Sequence, residues 1–235
     1  MSCNKKLNHS FSVAINSKLG FSGPSHTISN SCTSGIDALS IAITLLNKGL
    51  IRAIIIGVDD PVYLTLLGLP AKMSFLSRGI SELSGIPFDN ASSGMILFKA
   101  CPGILVEKTN REDSARIVGI NSLNDAYDLY SLERTGTRLK QVMQSVLTSY
   151  LDVISSPALG IPAADAMEAS AIRAYLNGLS VPIFSIKSST GHSFGSSTIL
   201  QNLVSIRNAS ISRNITNDKN TVRAPRIGFP NKNLI

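Results

Sequence analysis

Residues 27–60 read TISNSCTSGIDALSIAITLLNKGLIRAIIIGVDD, and this stretch decides the fold class. Thr27–Ser31 is a short β-type run, and the apolar residues from Ile36 to Leu50 then recur at helical spacing. Arg52–Val58 is a continuous Ile/Val run that ends at two aspartates and a proline, which is typical of a strand covered on both faces. The stretch therefore predicts a strand, a helix and a second, buried strand in succession.

The alternation of strand and helix continues through the rest of the 235 residues, which we treat as one domain spanning 1–235. It predicts an α/β fold with a largely parallel or mixed sheet between helices. A polar, turn-rich segment near the C-terminus predicts a long surface loop at 208–224. Further strands are expected at 95–98, 103–107, 115–120, 152–155 and 182–186, and further helices at 136–150, 163–176 and 195–207.

Composition excludes several classes of protein. Apolar residues make up 43% and charged residues 16%, which is incompatible with disorder. The net charge of +7 is concentrated at the two ends, at Lys5, Lys6 and Lys18 and again between Arg207 and Lys232. Nucleic-acid binding is not expected, because tryptophan is absent and only 6% of the residues are aromatic. The basic ends fit an acidic protein partner, and they fit a solubilising charge distribution equally well.

The three cysteines, at 3, 32 and 101, cannot all pair, and none has metal-ligand spacing to a histidine. Free thiols indicate a cytoplasmic protein. The first residues lack the unbroken apolar run of a signal peptide, and the longest apolar stretch is too short for a membrane span. No nucleotide-binding glycine motif or ligand cluster is present, so we expect neither a metal nor another bound cofactor.

Cys32 is the first candidate for chemistry, because it lies where the predicted strand ends and the helix begins. The positive end of the helix dipole favours the thiolate, and a sharp strand-to-helix turn exposes a nucleophile beside backbone N–H groups. A buried structural cysteine is the alternative.

The second candidate is the segment from Lys187 to Gly195, where a lysine leaves a strand and His192 enters a helix. A histidine at a helix N-terminus is disfavoured as imidazolium, so a neutral His192 could donate Nε2–H to a carbonyl or accept a proton. The alternative is a Gly/Ser-rich loop that only satisfies backbone groups.

Together these motifs resemble the β-ketoacyl synthases of the thiolase superfamily, from about Gly20 to Asn233. The resemblance implies a layered αβαβα fold, dimerisation, and decarboxylative Claisen condensation on acyl chains carried by the phosphopantetheine of an acyl carrier protein. The residues that carry it, in order, are Ser31-Cys32-Thr33-Ser34-Gly35, Pro87-Phe88-Asp89 with Gly94, Asp125-Ala126-Tyr127, Asp165 with Glu168, and Lys187, Gly191-His192 and Gly195.

The resemblance also implies roles for individual residues. Cys32 matches the cysteine that accepts the acyl chain, and His192 matches one of two histidines that stabilise the enolate oxygen formed on malonyl decarboxylation. Lys187 matches the lysine that supports the site, and Gly228-Phe229 matches an aromatic gate loop.

Several positions depart from the family pattern. Pro157 occupies the position at which the family has its other catalytic histidine. Proline supplies no side-chain donor, so one of two oxyanion donors is lost, and the rate of decarboxylation should fall roughly a hundred- to a thousandfold. Where the family has a Gly-Glu-Gly signature, this chain has Phe98-Lys99-Ala100. Where the family's gate loop has paired glycines, this chain has Pro230-Asn231. Cys32 stands close to the start of the chain, whereas the family has a long segment before its cysteine. On this basis we expect an N-terminally shortened fold that needs a partner.

One interpretation accounts for these departures together. The chain resembles the chain-length factor of a type II polyketide synthase, a ketosynthase-like subunit that forms a heterodimer with a full-length catalytic ketosynthase and shapes the polyketide tunnel. The alternative is an active condensing enzyme or acyltransferase that uses Cys32, a residue that chain-length factors usually lack. Tunnel candidates lie in the apolar segment 63–75, which could equally fill the core: Tyr63, Leu66, Leu67 and Phe75.

Overall fold

The computed structural model describes residues 9–50, 52–60, 75–77, 84–111, 114–128, 132–146 and 151–216. Helices and strands are mixed along the chain, as the sequence predicts. In chain order they are α1 (His9–Leu19), α2 (Ser34–Asn47), β1 (Arg52–Ile56), β2 (Gly103–Glu107), α3 (Thr137–Ser145), β3 (Ile154–Ser155), α4 (Pro162–Leu176), β4 (Ile183–Phe184), α5 (Lys187–Thr190) and α6 (Phe194–Thr216).

The main core lies where α2 and α6 pack on the antiparallel pair of β1 and β2. Leu39 and Ala42 project from α2, Ile55 from β1 and Ile199 from α6, and all four are buried. The apolar residues of α2 recur at helical spacing, so Leu39 and Ala42 lie on one face of the helix. This spacing is the pattern from which the sequence predicts the helix. The core thereby fixes the N-terminal ends of α2 and α6 beside each other.

In the second half of the chain α3 packs on α4, and β3 and β4 form a short parallel pair. Ile154 pairs with Ile183 and Ser155 with Phe184. Gly136 precedes α3 with φ 70°, and a Cβ there would lie 2.8 Å from the Cβ of Ala171 on α4. Only glycine accommodates both this backbone conformation and the close approach of α4.

The strand predictions are right in part. The predicted strands at 103–107, 152–155 and 182–186 are present, the last two in shorter form. Arg52–Val58 is a strand only as far as Ile56, and it is not covered on both faces in the described structure, since Ile54 is 42% exposed. The described strands form two separate two-stranded sheets, one antiparallel and one parallel.

Three strand predictions are wrong in detail. At 27–31 the chain forms only an isolated bridge between Asn30 and Cys32, because Ser31 adopts φ 51° and ends the extended run. The 95–98 segment forms single bridges to two different neighbours, Leu76 and His192, and no regular ladder. Residues 115–120 are largely exposed and form no ladder with any described residue.

The predicted loop at 208–224 is also wrong over its first part, because α6 continues to Thr216. Residues 208–216 are polar but contain no glycine or proline, so nothing in them breaks a helix. Among the described residues, no helix combines the length and the apolar character that crossing a membrane requires.

Candidate active site

Cys32 lies in a tight turn immediately before α2. The Ser34 N–H and the Ser34 hydroxyl both donate to the carbonyl oxygen of Ser31, at 3.2 and 2.7 Å, and the Asn30 N–H donates to Ser34 Oγ at 2.7 Å. Ser31 itself has φ 51°, in the left-handed region that non-glycine residues seldom adopt. These bonds and this strained residue place the Cys32 side chain at the start of the helix, as the nucleophile-turn interpretation predicts.

His192 is held by the polypeptide on both sides. Its N–H donates to the carbonyl oxygen of Ile96 at 2.7 Å, and its own carbonyl accepts from the Phe98 N–H at 2.9 Å. Gly191, at φ 73°, leads out of α5 and would clash with Phe98 and Ile96 if it carried a Cβ. The imidazole is 2% exposed.

Cys32 and His192 meet although 160 residues separate them in the chain. The Sγ atom of Cys32 lies 3.0 Å from Nε2 of His192. The approach depends on two glycines, because a Cβ on Gly35 would lie 2.8 Å from the carbonyl oxygen of Gly195, and a Cβ on Gly195 would lie 2.8 Å from the Cβ of Ser34. The two helix N-termini therefore touch through their backbones, and this contact brings the thiol to the imidazole.

The other ring nitrogen of His192 contacts Ser197. Nδ1 lies 2.8 Å from Ser197 Oγ, which also accepts a hydrogen bond from the Ser193 N–H at 2.7 Å. Ser193 and Ser197 are 1% and 5% exposed. A thiol, a histidine and a residue that orients the histidine form the arrangement that nucleophilic catalysis requires.

Lys187 is buried beside this pair and is bound by an amide, not by a carboxylate. Its Nζ donates to Oε1 of Gln201 at 3.0 Å, and Nε2 of Gln201 donates to Ser155 Oγ and to the Ser156 carbonyl at 2.8 and 2.7 Å. Gln201 on α6 thus links the lysine to β3 and the residue after it.

Two carboxylates on α4 fix the turn that contains Pro157. Glu168 accepts from the Ser156 hydroxyl at 2.7 Å and from the Ala158 N–H at 3.1 Å. Asp165 accepts from three backbone N–H groups, those of Phe88, Leu159 and Gly160, at 2.9, 2.8 and 3.1 Å. Pro157 itself is exposed and contributes no side-chain donor.

Burial dominates the electrostatics of the site. It raises the pKa of the Cys32 thiol, although the Ser31 hydroxyl and the Lys187 charge act in the opposite direction. It lowers the pKa of His192 to about 3, assisted by Lys187, and lowers the pKa of Lys187 itself to about 8. At neutral pH the site therefore holds a thiol and a neutral imidazole. Burial therefore opposes the thiolate that the position of Cys32 at a helix N-terminus favours.

The carboxylates respond to burial in the same sense. It raises the pKa of Glu168 to about 7 and also raises the pKa of Asp165, despite the hydrogen bonds that Asp165 accepts. Asp59 accepts from the Ser196 N–H at 2.7 Å, in the first turn of α6, and its pKa is likewise raised by burial.

The structure brings together three of the predicted site residues, Cys32, Lys187 and His192. Phe75 is half-buried, and its carbonyl accepts from the Met95 N–H. The remaining candidates, Tyr63, Leu66, Leu67, Gly228 and Phe229, lie outside the described residues, as do Lys5 and Lys6.

Sequence reasoning missed Ser197, Gln201 and Asp59. Ser197 and Gln201 lie four residues apart and therefore on one face of α6, so a polar pair inside an otherwise apolar helix face was the available signal. Asp59 gave no such signal, because only the tertiary fold brings it to the start of α6. Within the described ranges, no group of three or more His, Cys, Asp or Glu side chains could hold a metal ion.

The sequence matches two models of known protein families. The N-terminal domain model of the β-ketoacyl synthases matches residues 2–111, and the C-terminal domain model matches residues 114–214. The chain belongs to the β-ketoacyl synthase family. The N-terminal model covers Cys32 and the C-terminal model covers His192, so each model includes one member of the contacting pair.

Similar proteins include a putative polyketide β-ketoacyl synthase 1 of Streptomyces virginiae, 28% identical over 79% of this chain and 48% of that protein. A 3-oxoacyl-[acyl-carrier-protein] synthase 2 of Coxiella burnetii is 25% identical over 82% of this chain and 50% of that protein. The chain thus spans about half the length of these relatives.

Solved structures confirm the fold. A type II polyketide synthase ketosynthase, in complex with its acyl-carrier protein and bound to the hexaketide, superposes with a TM-score of 0.77 at 22% identity. That match covers 85% of this chain and 53% of the other chain. A β-ketoacyl synthase from Burkholderia phymatum gives 0.76 at 20% identity, over 87% and 53%. The predicted thiolase-like α/β class is correct.

Proposed function

We propose that this chain is a ketosynthase-like subunit of a type II polyketide synthase in which Cys32 accepts an acyl chain as a thioester. The observation that carries the proposal is the 3.0 Å contact between Cys32 Sγ and His192 Nε2 inside a buried site. The names of the Streptomyces relatives support a polyketide context. The acyl donor in this proposal is the phosphopantetheine thioester of an acyl carrier protein, and no other cofactor is involved.

The proposed step is thioester exchange. The Cys32 sulfur attacks the carbonyl carbon of the incoming thioester, and the bond from that carbon to the carrier sulfur breaks. The thiol proton of Cys32 ends on the departing carrier thiol. Because burial raises the thiol pKa, the reaction needs a group that stabilises negative charge on sulfur or on the carbonyl oxygen, and His192 lies in contact with the sulfur.

Acyl loading tests this proposal directly. The full chain is incubated with an acyl carrier protein that carries a short acyl thioester, and the intact mass of the chain is measured. We expect one acyl group on the wild type and on Cys101→Ser, which lacks an exposed thiol, and none on Cys32→Ser. Absence of acylation in the wild type, or acylation that survives Cys32→Ser, would exclude Cys32 as the acceptor.

A second proposal concerns the role in a complex, and Pro157 favours it. With no donor at that position, we propose that the subunit acts as a chain-length factor, pairing with a full-length ketosynthase and shaping the polyketide tunnel. Candidate tunnel residues remain Tyr63, Leu66, Leu67 and Phe75. A cytoplasmic location fits both proposals.

The two roles differ in their response to Cys32→Ala. In a complex reconstituted with a full-length ketosynthase and a carrier protein, a chain-length factor should leave polyketide formation nearly intact when Cys32 is replaced. Loss of all product in Cys32→Ala, with product retained in Cys101→Ser, would exclude the chain-length-factor role and retain acyl loading as the function of the thiol.

A further inference from the structure

The two buried serines beside His192 restrict where hydrogen atoms can lie. Ser197 Oγ has three neighbours: the Ser193 N–H at 2.7 Å, Ser193 Oγ at 3.1 Å and His192 Nδ1 at 2.8 Å. A hydroxyl has one hydrogen to donate and two lone pairs with which to accept. The backbone N–H is a fixed donor, so it occupies one lone pair of Ser197 whatever the histidine does.

The hydroxyl hydrogens of Ser193 and Ser197 decide between the two remaining arrangements. Ser193 is 1% exposed, and Ser197 Oγ is the only hydrogen-bond partner of its hydroxyl among the residues that the structure describes. If Ser193 donates to Ser197, both lone pairs of Ser197 are filled and the Ser197 hydroxyl must donate to Nδ1. If instead Nδ1–H donates to Ser197, the Ser197 hydroxyl must turn to Ser193 Oγ, and no described residue accepts the Ser193 hydrogen. A buried donor left without an acceptor is strongly disfavoured.

We propose that Ser197, held by Ser193, is a positioning residue that fixes His192 as the Nε2–H tautomer and directs that N–H at the Cys32 sulfur. His192 then serves the site as a hydrogen-bond donor, to the thiolate as it forms and to the acyl carbonyl oxygen, and does not remove the thiol proton. The inference rests on the proposed acyl transfer at Cys32. The donor role agrees with the oxyanion-stabilising histidine that the family resemblance implies, and the serine pair is the part that the geometry of this chain adds.

The charges around the ring agree with a donor role. Lys187 is the nearby cation, and burial together with Lys187 keeps His192 neutral, with a pKa of about 3. A group with so low a pKa is a weak base toward a thiol whose own pKa is raised. The charge of Lys187 lowers the pKa of Cys32, and the charge of Asp59 raises it. Phe194, with its ring centroid 5.2 Å from that of the imidazole, adds no proton acceptor.

Nitrogen NMR of the full chain labelled with ¹⁵N-histidine tests the tautomer. The chain has three histidines, so His9→Gln and His26→Gln identify the signals of His192. We expect a protonated, pyrrole-type signal for Nε2 and an unprotonated, pyridine-type signal for Nδ1, both constant from about pH 5 to about pH 9. A pyrrole-type Nδ1 in the wild type would overturn the proposal.

Serine variants test the cause. Ser193→Ala keeps the backbone N–H and Ser197, whose hydrogen then has Nδ1 as its one acceptor among the described residues, so the Nε2–H tautomer should persist. Ser197→Ala removes the donor to Nδ1, so both tautomers should become populated, and the rate of Cys32 acylation should fall roughly tenfold, less than outright loss of an oxyanion donor. Ser205→Ala, on the same helix, removes a hydroxyl that donates to the Gln201 carbonyl, and it should change neither signal nor rate.

The outcomes separate this inference from the proposed function. Acylation of Cys32 together with a pyrrole-type Nδ1 would overturn the tautomer assignment and leave acyl transfer intact. The expected tautomer without acylation would leave the assignment intact and overturn acyl transfer. An unchanged tautomer in Ser197→Ala would show that Ser197 does not fix the ring.

Discussion

At the scale of single residues, burial controls the chemistry of the site more than the helix dipole does. The pKa values of Cys32, His192 and Lys187 are all shifted so that the neutral form is favoured more than it is in water. Desolvation is the largest cause of each shift. The position of Cys32 at a helix start is visible in the sequence, but its desolvation depends on α6 packing against it. The sequence therefore shows the position of Cys32, and only the structure shows the burial that raises its pKa.

Replacing Lys187 by methionine should slow the reaction of Cys32 with iodoacetamide. The positive charge of Lys187 lowers the thiol pKa, so its loss should raise that pKa further. Because the pKa of Lys187 is about 8, the difference from the wild type should be present below that pH and fade above it, where the wild-type lysine is also neutral. Rates are measured in a background lacking the thiols of Cys3 and Cys101. A difference that grows above pH 8 would contradict this assignment.

Glu168 should give the fold a distinctive pH dependence. Its folded pKa of about 7 lies above the ordinary 4.5, so the folded state binds the proton more tightly than the unfolded state. The resulting stabilisation is present at low pH and is lost as pH rises between these two values, by about 3 kcal/mol at most. Urea unfolding at intervals across this range should show the decline in the wild type and a smaller one in Glu168→Gln. Equal slopes would exclude Glu168 as its source.

At the scale of secondary-structure elements, the longer helices of the core are predicted better than the strands. α4 occupies its predicted range almost to the residue and α2 lies within three residues of its predicted range, because apolar spacing and an N-terminal proline define them locally. α1 and the short α5 are not predicted. The segments at 27–31 and 95–98 are extended but pair only through isolated bridges. A strand depends on a distant partner, so composition alone cannot say whether an extended run joins a sheet.

The contact between α2 and α6 should be sensitive to one methyl group. In Gly195→Ala the new Cβ would lie 2.8 Å from the Cβ of Ser34, so the helix ends must separate. We expect a loss of roughly 1–3 kcal/mol in the free energy of unfolding, together with slower acylation of Cys32. Gly23→Ala is the matched control, since a Cβ there meets nothing within 4 Å. Similar urea midpoints for both variants would show that this contact tolerates the added volume.

At the scale of the whole molecule, the sequence motifs identify the family, and the structure adds how the two halves cooperate. The core formed by α2, β1, β2 and α6 draws residues from both matched regions, 2–111 and 114–214. The Cys–His pair was predictable from motifs in each region. The hydrogen-bonded links through Ser197 and Gln201 were not, because they form only when the two regions pack.

The uneven charge distribution gives the proposed carrier-protein partner a candidate docking surface at the basic ends of the chain. The double variant Lys18→Glu with Arg207→Glu should weaken binding of an acyl carrier protein, and the difference from the wild type should shrink as salt rises from about 0.05 M to about 0.5 M. Binding is measured by isothermal titration calorimetry. Arg138→Glu with Lys140→Glu on α3 makes the same change in charge at another surface. A larger effect from this second pair would place the docking surface there.

The 160-residue separation between Cys32 and His192 also bears on how the protein reaches its native state. Contacts so remote in sequence close a long loop and form late, after local helices. Until then the Cys32 thiol is hydrated and titrates as in a peptide; afterwards it is shielded. We therefore expect Cys32 to become protected from a pulse of alkylating agent at the rate of the last stage of refolding. Protection of this thiol thus reports when the two halves of the chain assemble.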